Sequence, residues 1–259
     1  MIGRSMYIWK LAPVLAAEGG VNQLVAKAAR AKLAGLWIKI ADGASIYGNA
    51  LGATGEQFQR LVAKCHERNI RVWGWHVPHC VDAAAAVEEG DVVRGVARGL
   101  RLDGLIMDAE GGIEFFKGDE AAAIAYGQKM RAVADELGVP LAMSSNDIPQ
   151  NIDGWIRRFN KITQFADYNF PQVYYGGSPS VENRLSRAEN ANAHVTVPFV
   201  PVGAGWIGPN GGCESASACA ERAVAFMRLV RERGYEGYSF WHWGGAPMAL
   251  WEVLNSTPA

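Results

Sequence analysis

Eight short apolar runs, each followed by a longer segment with helical spacing, constrain this chain more than any other feature. The runs fall at residues 6–11, 35–40, 71–76, 104–108, 140–144, 168–174, 196–202 and 237–241. Between them, Phe58, Leu61, Val62 and Cys65 recur at the i, i+3, i+4, i+7 spacing that gives a helix one buried face. Ile124, Gly127, Met130, Val133, Ala134 and Leu137 repeat the pattern, and Gly138 followed by Pro140 ends that helix. Val224, Met227 and Val230 form a third stripe, and a shorter one of Leu24, Val25 and Ala28 leads into the run at 35–40. Strands alternating with helices predict parallel βαβ units, and eight of them predict closure into a single α/β domain, a (β/α)8 barrel. The 259 residues match the roughly 250 that such a barrel takes. An open doubly wound sheet is the structural competitor, but no GxGxxG follows the first run. No linker or low-complexity tract divides the chain, so residues 1–259 are expected to fold as one barrel domain.

A hydrophobic content of 49% with 20% charged residues supplies an ample core. The net charge of −1 gives no electrostatic reason to expect nucleic acid or an anionic membrane as partner. No apolar run approaches the roughly 18 residues of a membrane span. Arg4 and the apolar stretch up to Ala17 imitate a secretory leader, but Lys10 interrupts it and cleavage would remove the first strand. The expected compartment is therefore the cytoplasm by default, with release to the cell wall left open. Cys65, Cys80, Cys213 and Cys219 form no CxxC; reduced thiols are expected, with a Cys213–Cys219 bridge as the minor alternative.

The run Leu105-Ile106-Met107 ends in Asp108-Ala109-Glu110. Strand side chains alternate, so Ile106, Asp108 and Glu110 share one face while Leu105, Met107 and Ala109 share the other. Two buried acids side by side are costly unless paired or hydrogen-bonded. A structural ion-pair network is one way to hold them and a catalytic site is the other.

Their place in the chain favours chemistry, because active sites of such barrels lie at the C-terminal ends of the strands. Polar and aromatic residues collect at those ends. They are Lys39 and Asp42; His76 and His79; Ser144, Ser145, Asn146 and Asp147; Gln172, Tyr174 and Tyr175; Trp206; and Trp241, His242 and Trp243. Trp73, Trp75, Trp206, Trp241 and Trp243 offer either core packing or flat apolar faces for a sugar ring.

Carboxylates and aromatics at a barrel mouth suit glycoside hydrolysis, which needs a protonated acid and a group that stabilises an oxocarbenium-like centre. Neighbouring carboxylates separate in pKa, which keeps one protonated. Glu110, with the longer arm and the position nearer the mouth, is the expected general acid. Asp108, one pleat deeper, is expected to orient Glu110 or a substrate amide. Lys39 either holds one carboxylate ionised or belongs to a structural salt bridge. Trp75, His76, Asn146, Asp147, Gln172, Tyr174, Trp206, Trp241 and His242, with Lys39 and Asp42, are the candidate substrate-binding residues. No cofactor or metal is required by this reading, and the expected partner is a polysaccharide or oligosaccharide.

The chain resembles the glycoside hydrolase family 25 lysozymes, or a wider group of barrels related to them. Gly35-Leu36-Trp37-Ile38-Lys39-Ile40-Ala41-Asp42-Gly43 is similar to that family's second strand, and Val72-Trp73-Gly74-Trp75-His76 to its third. Leu105-Ile106-Met107-Asp108-Ala109-Glu110 resembles its fourth, whose Asp-x-Glu carries the catalytic acid, and Phe240-Trp241-His242-Trp243 its aromatic last strand. The resemblance implies a glycosidase on an amino-sugar polymer, peptidoglycan being the natural candidate. One departure matters: those lysozymes begin with an aspartate on the first strand, and Met6-Tyr7-Ile8-Trp9-Lys10 has no acid. The absence favours a mechanism in which a substrate N-acetyl group is the nucleophile. Asp147 is the alternative second carboxylate. Two other functions compete: a non-catalytic carbohydrate-binding barrel, and a metal-dependent hydrolase using His76, His79, Asp108, Glu110 or His242. Pro78 separates His76 from His79, which keeps them off a common helix face.

Overall fold

A computed structural model describes residues 2–258. Its strands are β1 (Gly3–Ile8), β2 (Gly35–Asp42), β3 (Ser45–Ile46), β4 (Arg71–Val77), β5 (Gly104–Asp108), β6 (Leu141–Asn146), β7 (Tyr168–Val173), β8 (Val202–Ala204) and β9 (Gly237–Trp241). All but β3 pair in parallel in the order β1-β2-β4-β5-β6-β7-β8-β9, and β9 pairs back on β1 to close an eight-stranded barrel. The short β3 turns back on the end of β2 in antiparallel fashion. The α/β barrel expected from the sequence is the observed fold.

Around it lie α1 (Leu11–Glu18), α2 (Val21–Arg30), α3 (Gly52–His66), α4 (Ala83–Leu100), α5 (Glu120–Leu137), α6 (Trp155–Thr163), α7 (Val181–Asn192), α8 (Ala216–Glu232) and α9 (Met248–Ser256). The local chemistry explains their ends. Asp82, Asp119, Ser180 and Ser215 each accept a hydrogen bond from a backbone N–H of the first turn of α4, α5, α7 and α8. Gly138 ends α5 in the left-handed region at φ 67°, which a residue with a Cβ rarely adopts. No helix among the described residues is long and apolar enough to cross a membrane.

Two faces of each strand build two cores. Outward side chains such as Met6, Leu36, Ile38, Leu105, Met107 and Phe240 pack under the helices. Inward ones fill the lumen: Tyr7, Trp37, Trp73, Trp75, Ile106, Ala142 and Phe170. Trp37 stacks on Phe170 with ring centroids 4.6 Å apart, and Trp73 lies 6.3 Å from Trp37. Gly104 makes room for this filling, because a Cβ there would meet the Trp73 ring at 2.2 Å. The lower lumen is therefore closed by aromatic packing, and its charged groups are left to the upper end.

The structure corrects four sequence expectations. The strand expected at 196–202 shrinks to the three residues of β8, because Pro198 and Pro201 carry no N–H for the ladder. Asn169 instead makes an isolated bridge with Phe199. The first strand ends at Ile8 and Leu11 already opens α1. Val224 is exposed, and the buried stripe of α8 runs through Ala223, Phe226, Met227 and Val230. Finally, Cys213 and Cys219 form a disulfide, since a loop that bonds Cys213 N to the Trp206 carbonyl brings it beside the first turn of α8. Cys65 and Cys80 are free and buried.

Candidate active site

The alternation of β5 delivers Ile106, Asp108 and Glu110 to the lumen side in ascending order, while Met107 and Ala109 face the helices. Asp108 is 5% exposed, and Glu110 lies just above it at the edge of a cleft. Gln172, two residues above Phe170 on β7, bridges the acids. Its Nε2 donates to Asp108 Oδ1 at 3.1 Å and to Glu110 Oε1 at 3.0 Å. Asn146 at the end of β6 donates from Nδ2 to Glu110 Oε2 at 3.2 Å, while its Oδ1 accepts from Gly111 N at 2.9 Å. Glu110 is thereby held through both oxygens by amides rather than by a cation.

The electrostatics follow from that choice of partners. Burial pushes Asp108 up to about 6, against the Ser144 hydroxyl, the Lys39 charge and the Gln172 amide, which favour its ionised form. Burial raises Glu110 further, to about 8, and the negative charge of Asp108 adds to the shift. The pair therefore holds one proton near neutrality, with Glu110 as its site and Asp108 as the anion. Tyr7, on the same face of β1 as Ser5, reaches the lumen top, where Asp108 and Ser144 both act on its phenol. The Tyr174 phenol is raised by burial and by the Glu110 and Asp108 charges.

Lys39 points into the lumen, with Nζ 5.1 Å from the Trp75 ring centroid and 4.6 Å from that of Tyr47. Its direct partner is Asp42 Oδ2 at 2.7 Å, and Asp42 Oδ1 lies 2.8 Å from His79 Nε2. Burial opposes ionisation of Asp42, but hydrogen bonds from Lys39 and His79 outweigh it and hold the carboxyl below its ordinary range. Lys39 thus stabilises Asp108 through space while bonded to Asp42.

Other candidates separate from the acid pair. His76 is fully buried on the helix side of β4, its Nδ1 2.9 Å from the Tyr126 hydroxyl and Nε2 3.1 Å from the Gly43 carbonyl. Burial depresses it to about 3, so it is neutral and sealed from any substrate. It sits on the opposite strand face from Trp75, which removes it from the substrate-binding set. Asp147 is 4% exposed and bound through both oxygens to Arg184 of α7, at 2.6 Å each. It therefore partners an arginine and not Glu110. Trp75 is a covered floor, 1% exposed, with Nε1 donating to the Trp37 carbonyl. Trp241 lies 5.5 Å from Tyr7 and 5.6 Å from Trp75, and Trp9 continues the cluster 6.4 Å beyond. Among the described residues no group of three or more His, Cys, Asp and Glu side chains is arranged to hold a metal ion.

Two clefts open at the rim. One of about 620 Å³ contains Glu110, Asn146, Gln172, Tyr174, Arg184 and Arg187. The other, about 540 Å³, is lined by Trp9, Glu18, Lys27, His242, Trp243 and Trp251. In the second, Lys27 pairs with Glu18 at 2.6 Å and sits 4.3 Å from the Trp251 ring centroid, while Lys10 places its Nζ 4.7 Å from the centroid of the Trp9 ring. Trp206 meets Tyr174 edge-on at 4.9 Å, beside the first cleft, whereas His242 lines the second. Sequence reasoning passed over Tyr7, Arg184, Arg187 and Asn49. Alternation along β1 marks Tyr7 as inward. Asn49, which accepts from Leu11 N and donates to the Trp9 and Lys39 carbonyls, lies in a loop with no pattern to reveal it.

No family model and no curated protein matches the chain. Solved structures do. The spore cortex-lytic enzyme SleL of Bacillus megaterium QM B1551 is similar with a TM-score of 0.65 at 11% identity, over 97% of this chain and 73% of that one. A glycoside hydrolase family 18 N-acetylglucosaminidase from Paenibacillus barengoltzii gives 0.67 at 12%, over 98% and 99%. A family 18 chitinase from Pseudoalteromonas aurantia gives 0.66 at 11%, over 96% and 97%. At 11–12% identity these likenesses show the fold, the barrel that those enzymes share, and do not single out family 25.

Proposed function

We propose that this protein is a glycoside hydrolase acting on an amino-sugar polymer, with Glu110 as general acid. The observation that carries the reading is the acid pair bridged by Gln172, with Glu110 raised and reaching the cleft while Asp108 stays beneath it. Glu110 gives its proton to the leaving-group oxygen as the bond from that oxygen to the anomeric carbon breaks. The carboxylate beside Glu110 is Asp108, which lies beneath it; β1 supplies no further one and Asp147 is bound to Arg184. The carbonyl oxygen of the substrate's own N-acetyl group then bonds to the anomeric carbon. Asp108 accepts from the acetamido N–H and stabilises the positive charge that develops on it. Water afterwards attacks the anomeric carbon as the bond from the acetyl oxygen to that carbon breaks, which restores the N-acetyl group, and the water gives its proton to Glu110, which restores the acid. Tyr7, Ser144 and Tyr174 line the pair with hydroxyls. Barrels of the same fold that act as chitinase, N-acetylglucosaminidase and cortex-lytic enzyme support the substrate class.

The test is release of reducing ends from purified peptidoglycan and from chitin oligomers by wild type and by Glu110→Gln. Release that disappears in the variant, with its circular dichroism unchanged, is the expected result. Retention on the polymer without release by either protein would instead favour a carbohydrate-binding barrel.

A further inference from the structure

The cleft that starts at Glu110 runs outward over the β6–α6 and β7–α7 loops to helix α7, and its far wall is basic. Arg184 and Arg187, one helical turn apart, both face it. Arg184 spends Nε and Nη2 on Asp147, which leaves Nη1 without a hydrogen-bond partner among the described residues. Arg187 is exposed and makes no hydrogen bond or ion pair among the described residues, although its charge reaches Asp147. The acids of the same helix point elsewhere: Glu182 and Glu189 both pair with Arg233. Within the cleft, Asp147 cancels Arg184 and Glu110 holds a proton near neutrality, so one positive charge stands unbalanced in a chain whose net charge is −1. A cation in a concave wall, close to a second guanidinium with a free edge, is matched to a carboxylate, which arginine binds through parallel N–H groups.

We infer that the polymer cleaved at Glu110 carries carboxylate groups, and that Arg187, with the free edge of Arg184, binds one of them. This rests on the proposed glycosidase reading and narrows it, because a neutral chitin-like polymer has no negative charge to set against this wall. Glu110 opens into this cleft and Asp108 does not line it. The carboxylate therefore belongs to the part of the polymer that leaves with the protonated oxygen.

The experiment separates binding from turnover. Calorimetry on the Glu110→Gln protein uses a peptidoglycan tetrasaccharide with free lactyl carboxylates and the same tetrasaccharide with those groups amidated. The free acid is expected to bind roughly tenfold more tightly, in line with one partly exposed charge-assisted contact. Adding Arg187→Gln should erase that preference, and Arg187→Lys should keep part of it. A hyaluronan tetrasaccharide, whose carboxylates sit on the sugar ring, tells the two carboxylate sources apart, and binding of either in an Arg187-dependent way supports the inference. Equal affinity for acid and amide, a preference untouched by Arg187→Gln, or no binding of any acidic fragment would overturn it. Turnover by wild type is read separately. An Arg187-dependent preference in a protein that cleaves nothing keeps the anion site and removes the glycosidase reading. Cleavage of acid and amide with equal kcat/KM does the reverse.

Discussion

The lower and upper ends of the barrel lumen are built from the same alternating strands and do opposite things. Below, Trp37, Trp73 and Phe170 interlock, and the polar side chains buried with them are small and uncharged, the hydroxyls of Ser5 and Ser239. One pleat higher the same faces carry Asp108, Gln172 and Lys39, whose charges and amides are arranged around one proton. The aromatic floor removes water from beneath the carboxylates, and that desolvation is the largest cause of their raised pKa values. Packing at one end thus sets the acid–base chemistry at the other, and substitutions at the two ends should separate stability from activity.

The largest effect is expected at the top. Glu110→Gln has the same shape and keeps an acceptor for one of the two amides, Gln172 or Asn146, setting its own –NH2 against the other; it has no acid proton to give, so kcat for reducing-end release should fall by about 10²–10⁴-fold. The circular dichroism spectrum should be unchanged. At the bottom, Phe170→Ala should cost about 3–5 kcal/mol in urea unfolding, as removal of a fully buried aromatic does. If that variant lost activity while its stability stayed whole, the division between the two ends would be wrong. Asp108→Asn comes next: loss of the anion beside the reacting centre should lower kcat by roughly 10²-fold. Smallest is an effect of pH on stability. Glu110 holds its proton more tightly folded than unfolded, so its contribution favours folding at low pH and is lost as pH rises from about 4.5 through about 8. The urea midpoint of Glu110→Gln should accordingly gain on that of wild type across this window, and parallel curves would deny that burial strains Glu110.

The barrel was legible in the sequence because both its periodicities are strong: period two along β2, β4 and β5, and 3.6 along α3 and α5. The pair on β5 was legible for the same reason, since alternation alone assigns Ile106, Asp108 and Glu110 to one face. What alternation cannot supply is which face looks inward when both are buried, and His76 shows the cost. Its neighbour Trp75 faces the lumen, so His76 must face the helices, yet at a strand end both positions look equally exposed in a sequence. Strand β8 was misplaced because the prolines of 196–202 sit in an apolar run that satisfies hydropathy but not the hydrogen-bond ladder. Arg184 and Arg187 were invisible because α7 is polar nearly all round, and only the fold turns one of its faces toward Glu110.

The central claim is that Glu110 keeps its proton at neutral pH because it is buried beside an ionised Asp108. A titration of the Glu110 side-chain carboxyl by carbon-13 NMR, in wild type and in Asp108→Asn, tests it directly. The account predicts a midpoint near 8 in wild type that moves to lower pH when the Asp108 charge is removed. A wild-type midpoint in the ordinary glutamate range, or one indifferent to Asp108→Asn, would contradict it.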